Sequence, residues 1–143
     1  MIGIDTSIVL RYLLKDDPAL SPRALEIIGA NDCLVTRAAL TEVVYTLESL
    51  YRSSRADIGR ALDALLSLQR VSIEDRAVTE RAVSWYKAGM DFGDAMIAAS
   101  SHGSARVATF DRDFARLARK LRTAPPVESR SGNRLRDRGQ VLH

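Results

Sequence analysis

Short apolar runs at Ile2–Asp5, Cys33–Thr36, Val71–Ile73 and Val107–Phe110 alternate with longer stretches of helical periodicity. That alternation restricts the fold more than any other feature. Short apolar strands separated by helices read as a mostly parallel α/β sheet with helices covering both faces. Thr6–Lys15 is apolar on nearly all sides, with Arg11 and Lys15 on one exposed stripe, and Asp17-Pro18 breaks it. Ser21 followed by Pro22 predicts the start of a second helix. Leu40, Val43, Val44, Leu47, Leu50 and Tyr51 recur at the spacing of one helix face. Ser54 opens a fourth helix with Ile58, Ala61, Leu62 and Leu65 inward. Asp75–Ala88 stops at Gly89, and Asp91 caps a sixth helix over Phe92–Ser101. Phe114, Leu117, Ala118 and Leu121 mark the core face of a seventh.

The pattern ends at Pro125-Pro126, so residues 1–123 are expected as the domain and 124–143 as a mobile C-terminal tail. A length of 143 residues fits one domain, and a hydrophobic fraction of 46% is enough for a core. No apolar run reaches the roughly 18–20 residues needed to cross a bilayer, so no membrane association is expected. Met1-Ile2-Gly3-Ile4-Asp5 lacks a basic leader, and Cys33 is the single cysteine, so a cytoplasmic protein without disulfides is expected. The net charge of +3 is accounted for by Arg130, Arg134, Arg136 and Arg138 set against Asp137. Average charge therefore does not argue for nucleic acid; the placement of charge has to.

Most carboxylates have a cation three or four residues away on the same helix: Arg23 for Glu26, Arg52 for Glu48, Arg60 for Asp63 and Arg76 for Glu80. Four do not. Glu42 has Ala38, Ala39, Tyr45 and Thr46 as helical neighbours, and Asp94 has Met90, Asp91, Ile97 and Ala98. Asp5 and Asp111 each end a predicted parallel strand, the edge where open α/β sheets bind ligands. Unpaired acids beside core segments are costly to desolvate, and a bound cation answers all four together. Oxygen donors with no His or Cys nearby suit Mg²⁺ or Mn²⁺. Without a cation, mutual repulsion should raise at least one of their pKa values. Taken singly, Asp5 and Asp111 read equally well as helix caps, and Asp91 reads best as one.

Four segments carry a resemblance. Residues 2–14 (Ile-Gly-Ile-Asp-Thr-Ser-Ile-Val-Leu-Arg-Tyr-Leu-Leu), 41–47 (Thr-Glu-Val-Val-Tyr-Thr-Leu), 91–99 (Asp-Phe-Gly-Asp-Ala-Met-Ile-Ala-Ala) and 109–114 (Thr-Phe-Asp-Arg-Asp-Phe) resemble, in order and spacing, the motifs of PIN-domain ribonucleases. They are most similar to the VapC-type toxins of toxin–antitoxin pairs. The resemblance covers about residues 1–120. It implies a three-layer sandwich and a divalent-metal-dependent endoribonuclease that leaves 5′-phosphate and 3′-hydroxyl ends. It also implies a small antitoxin partner and a homodimer. Asp5, Glu42, Asp94 and Asp111 match the family's acidic quartet. Thr6, Ser7, Asp91 and Asp113 fall at supporting positions. Ser7 stands where the family often has Asn, and Asp113 is expected to pair with Arg116 on the surface.

Divalent ions lower the pKa of bound water and neutralise charge on phosphoryl oxygens, which is what phosphodiester hydrolysis needs. An acidic pocket also needs flanking cations to hold RNA. Arg112, Arg116, Arg119 and Lys120 form one stripe, Arg11 and Lys15 another; each reads either as a solvated face or as a contact to the RNA backbone. His102 is expected at the surface, and Trp85 and Tyr86 in the core or an interface. Two competing readings are a catalytically silent PIN-type scaffold that binds RNA or protein, and a phosphoryl-accepting domain. The second lacks a central strand-end aspartate with a supporting lysine, since Asp57 lies at a polar helix start.

Overall fold

The computed structural model describes residues 1–130. Along them run β1 (Ile2–Gly3), α1 (Thr6–Leu14), α2 (Leu20–Ala30), β2 (Cys33–Val35), α3 (Arg37–Ser49) and α4 (Arg55–Leu66). These are followed by β3 (Val71–Ile73), α5 (Arg76–Lys87), α6 (Phe92–Ser100), β4 (Val107–Thr109), α7 (Arg112–Leu121) and β5 (Val127–Ser129). Every strand pairing is parallel. The architecture is an α/β three-layer sandwich. Hydrogen bonding divides the strands into a three-stranded group ordered β1-β2-β3 and a separate β4-β5 pair.

β2 is central in the first group, and its alternate residues Cys33 and Val35 are completely buried. α3 turns Leu40, Val43, Val44 and Leu47 into the core, as their spacing predicts. Leu50 does not follow them: it lies just past the helix end and is 72% exposed. α1 buries Val9 and Leu10 and leaves Ile8, Tyr12, Leu13 and Leu14 half-buried, so its all-round apolarity is only partly used. Among the described residues no helix is long and apolar enough to cross a membrane.

Local chemistry explains most boundaries. Thr36, Ser54 and Asp91 each accept a backbone N–H from the first turn of the following helix. Gly89 follows α5 at φ 119°, a conformation glycine adopts without penalty. α2 departs from expectation. Its N-cap is Ala19, which makes no side-chain cap; Asp17 Oδ1 instead accepts Ala19 N and Leu20 N, and Ser21 lies inside the helix with its Oγ accepting Asp17 N. Pro22 is then the third helical residue, still among the positions whose N–H has no helical acceptor.

Residues 124–129, read from the sequence as the start of a tail, are built into the fold. β5 pairs with β4, Val107 N donates to Pro126 O, Arg130 N donates to Thr109 O, and Val127 is buried. Residues 131–143, the rest of that expected tail, lie outside the described residues. Two expected ion pairs are also replaced. Asp63 is held by Lys87 at 2.6 Å while Arg60 pairs with Asp57, and Glu48 accepts the Tyr86 hydroxyl at 2.9 Å. Both substitutes come from elements distant in sequence that packing brings closer than a helical neighbour.

Candidate active site

The three aspartates among the four singled-out acids sit where a helix begins. Asp5 leaves β1 and caps α1: its Oδ1 accepts Ser7 N at 3.0 Å, Ile8 N at 3.3 Å and the Ser7 hydroxyl at 2.6 Å. Those bonds, the Ser7 hydroxyl foremost, hold the Asp5 carboxyl below its ordinary range. Asp111 leaves β4 and caps α7, its Oδ1 accepting Asp113 N at 2.9 Å and Phe114 N at 3.1 Å. The capping role and the strand-end position thus coincide in both residues. Among the described residues no hydrogen bond reaches Oδ2 of either, so one oxygen of each remains available.

Asp94 is different. It lies in the first turn of α6, half-buried, and its N–H donates to Asp91 Oδ2 at 3.0 Å. Burial pushes its carboxyl above the ordinary range, and the negative charges of Asp91 and then Asp111 push it further. Asp91, Asp94 and Asp111 therefore share one electrostatic neighbourhood. Gly93 permits the turn to close there: a Cβ at that position would lie 3.2 Å from Asp91 Oδ2.

Glu42 is exposed on α3 and accepts the Thr6 hydroxyl at 2.8 Å, which ties α3 to the first residue of α1, directly after Asp5. Thr6 and Ser7 each take a carboxylate of the quartet as hydrogen-bond acceptor. Among the described residues, no set of three or more His, Cys, Asp or Glu is drawn together closely enough to hold an ion. The donor chemistry, all carboxylate, fits a hard divalent cation. The contacts link these residues only in part: Asp94 feels the charges of Asp91 and Asp111, and Thr6, next to Asp5, donates to Glu42.

Of the cations singled out, Arg11 is engaged by Asp16 at 3.0 Å and the Tyr51 hydroxyl at 2.8 Å. Lys15 sits in the left-handed cap of α1. Arg116 pairs with Asp113 at 3.0 Å, the surface role expected for that aspartate. Arg112, Arg119 and Lys120 are exposed. Arg122 and Arg130, which prove to line a cavity with Arg119, were not singled out; Arg130 was read as part of the tail.

The described residues thus form a parallel α/β sandwich with carboxylates where strands hand over to helices. The model of one protein family, described as PIN domain, matches residues 2–120, and the chain belongs to that family. PIN domains are usually metal-dependent nucleases. No curated protein and no solved structure gives a significant match to the chain.

Proposed function

We propose that this PIN domain is a Mg²⁺- or Mn²⁺-dependent endoribonuclease, the toxin of a VapC-type toxin–antitoxin pair. The observation that carries the reading is Asp94, a half-buried carboxyl pushed up by burial and by the charges of Asp91 and Asp111. A half-buried carboxyl loaded with like charge is a candidate cation ligand, although a first-turn acid is also what the dipole of α6 favours. Asp5, Glu42, Asp94 and Asp111 would be the ligands. Ser7 fixes the rotamer of Asp5 and Thr6 that of Glu42, as partners of metal ligands do. When bound, a divalent ion lowers the pKa of the attacking water and neutralises the phosphoryl oxygens.

Partners follow the same reading. Leu25 on α2, Tyr45 on α3 and Ile97 on α6 are each more than half exposed. An antitoxin and a second copy of the chain are the partners this reading calls for, and these side chains are candidates to meet them. The catalytically silent scaffold is the alternative, favoured by the engagement of Asp5 and Asp111 as caps. A ribonuclease assay with labelled RNA, run in Mn²⁺ and in EDTA, separates the two. Cleavage should appear in Mn²⁺, vanish in EDTA, and fall by at least about a hundredfold in Asp5→Asn and Asp94→Asn. RNA binding without cleavage under all conditions would establish the scaffold instead.

A further inference from the structure

We propose that the cavity between the C-terminal turn of α7 and β5 is a subsite for the phosphate backbone of single-stranded RNA, separate from the acidic quartet. It has a volume of about 510 Å³ and is lined by Arg119, Arg122, Thr123, Glu128, Ser129 and Arg130 among others. Glu128 is the acid among them. It pairs with Arg130 at 3.2 Å and with Arg106, which does not line the cavity, at 3.6 Å. Glu128 and Arg130 offset one another, and Arg119 and Arg122 leave the cavity cationic. Ser129 adds a buried hydroxyl with no hydrogen-bond partner among the described residues. Buried polar atoms are rarely left without a partner, and a phosphate oxygen would accept from this one.

The cavity does not stand alone. Arg122 also lines a neighbouring cavity of about 590 Å³ together with Arg81, Trp85 and His102. Cations interleaved with an aromatic ring are what a single-stranded nucleic acid requires: guanidinium groups for the backbone and a π face for a base. Trp85 is half-buried and packs against the core, so part of its surface remains for that second cavity. The position is also suitable. α7 spans Arg112–Leu121 and begins directly after Asp111. Its ten residues extend about 15 Å, the rise of four or so stacked nucleotides at ~3.4 Å each. The cavity lining runs from Arg122 at the carboxyl end of α7 back to Ser129 and Arg130, which pair with Thr109, two residues before Asp111, so a strand laid along it would arrive beside Asp111.

This assignment rests on the nuclease reading, and its test keeps the two apart. Binding of a fluorescein-labelled oligouridylate of about ten nucleotides is measured by anisotropy in EDTA, where cleavage is off, over about 50–200 mM NaCl. The full chain is compared with the double variant Arg119→Gln/Arg122→Asn and with Arg130→Gln. Asparagine at 122 tolerates the left-handed backbone, φ 55°, that Arg122 holds. Arg60→Gln, on the exposed face of α4, is the control. Each lost contact to single-stranded phosphate should lower the slope of log K against log[salt] by about 0.7, so the double variant should lose about 1.4, with Tm unchanged. In the cleavage assay it should raise KM several-fold and leave kcat alone. An unchanged slope, or a lowered Tm with an unchanged slope, would mean that the arginines only answer the α7 carboxyl end, and would overturn the subsite. Failure of the unaltered chain to bind the oligonucleotide would overturn it too. Binding with the expected slopes but no cleavage in Mn²⁺ would sustain the subsite and remove the nuclease.

Discussion

Asp94 carries a carboxyl whose ionised form the fold disfavours, through burial first and then through Asp91 and Asp111. A carboxyl raised in the folded state subtracts stability above its folded pKa, and that loss is relieved as pH falls through it. Asp94→Asn should therefore melt at a higher temperature than the unaltered chain in EDTA at pH 7. The difference should shrink toward acid pH, and a lower Tm for the variant would contradict the account. Mn²⁺ should raise the Tm of the unaltered chain and not that of the variant. At this scale much was legible. The lack of a helical cation beside Asp94 and Glu42, and the strand-end positions of Asp5 and Asp111, are plain in the sequence. Hidden were the partners that come from afar, such as Thr6 on Glu42 and Tyr86 on Glu48.

α5 is tied to its neighbours through Tyr86. The ring is completely buried and meets Phe92 of α6 edge-on, with centroids 5.6 Å apart. Its hydroxyl donates to Glu48 of α3, and burial together with Glu48 pushes the phenol pKa well up. Arg55, at the start of α4, lies 4.4 Å from the ring centroid and donates to Tyr86 O and Met90 O at 2.7 Å each. Tyr86→Phe keeps the packing and removes the hydroxyl. It should cost about 1.5–3 kcal/mol, since the acceptor is a carboxylate, with an unchanged m-value in urea denaturation. Tyr86 was expected in the core or an interface from its helix alone, but its links to three other helices depend on packing that no local pattern records. Caps were the opposite case. Ser54 and Asp91 act within three residues of themselves and are readable; the Asp17 side chain that holds the start of α2 was masked by a stronger-looking Ser21-Pro22 signal.

Across the molecule, the parallel α/β order was legible because strands and helices differ in period. β5 was not, because Pro125 and Pro126 precede it, the described strand is three residues long, and tail-like composition follows. Pro126 is tolerated because the strand takes hydrogen bonds from β4 through the Pro126 carbonyl, which needs no N–H. Ending the chain after Thr123 should therefore destabilise it by about 3–5 kcal/mol relative to a chain ended after Arg130. That range reflects the lost ladder bonds and the burial of Val127. Chemical denaturation of the two truncated chains checks this, and equal midpoints would show that β5 contributes nothing.

β4, which delivers Asp111, has its hydrogen-bonded neighbour downstream of itself. During translation the amino-terminal strands emerge and pair first, while β4 must wait on the ribosome for residues not yet added. The strand that presents Asp111 is thus completed only after β5 has left the ribosome.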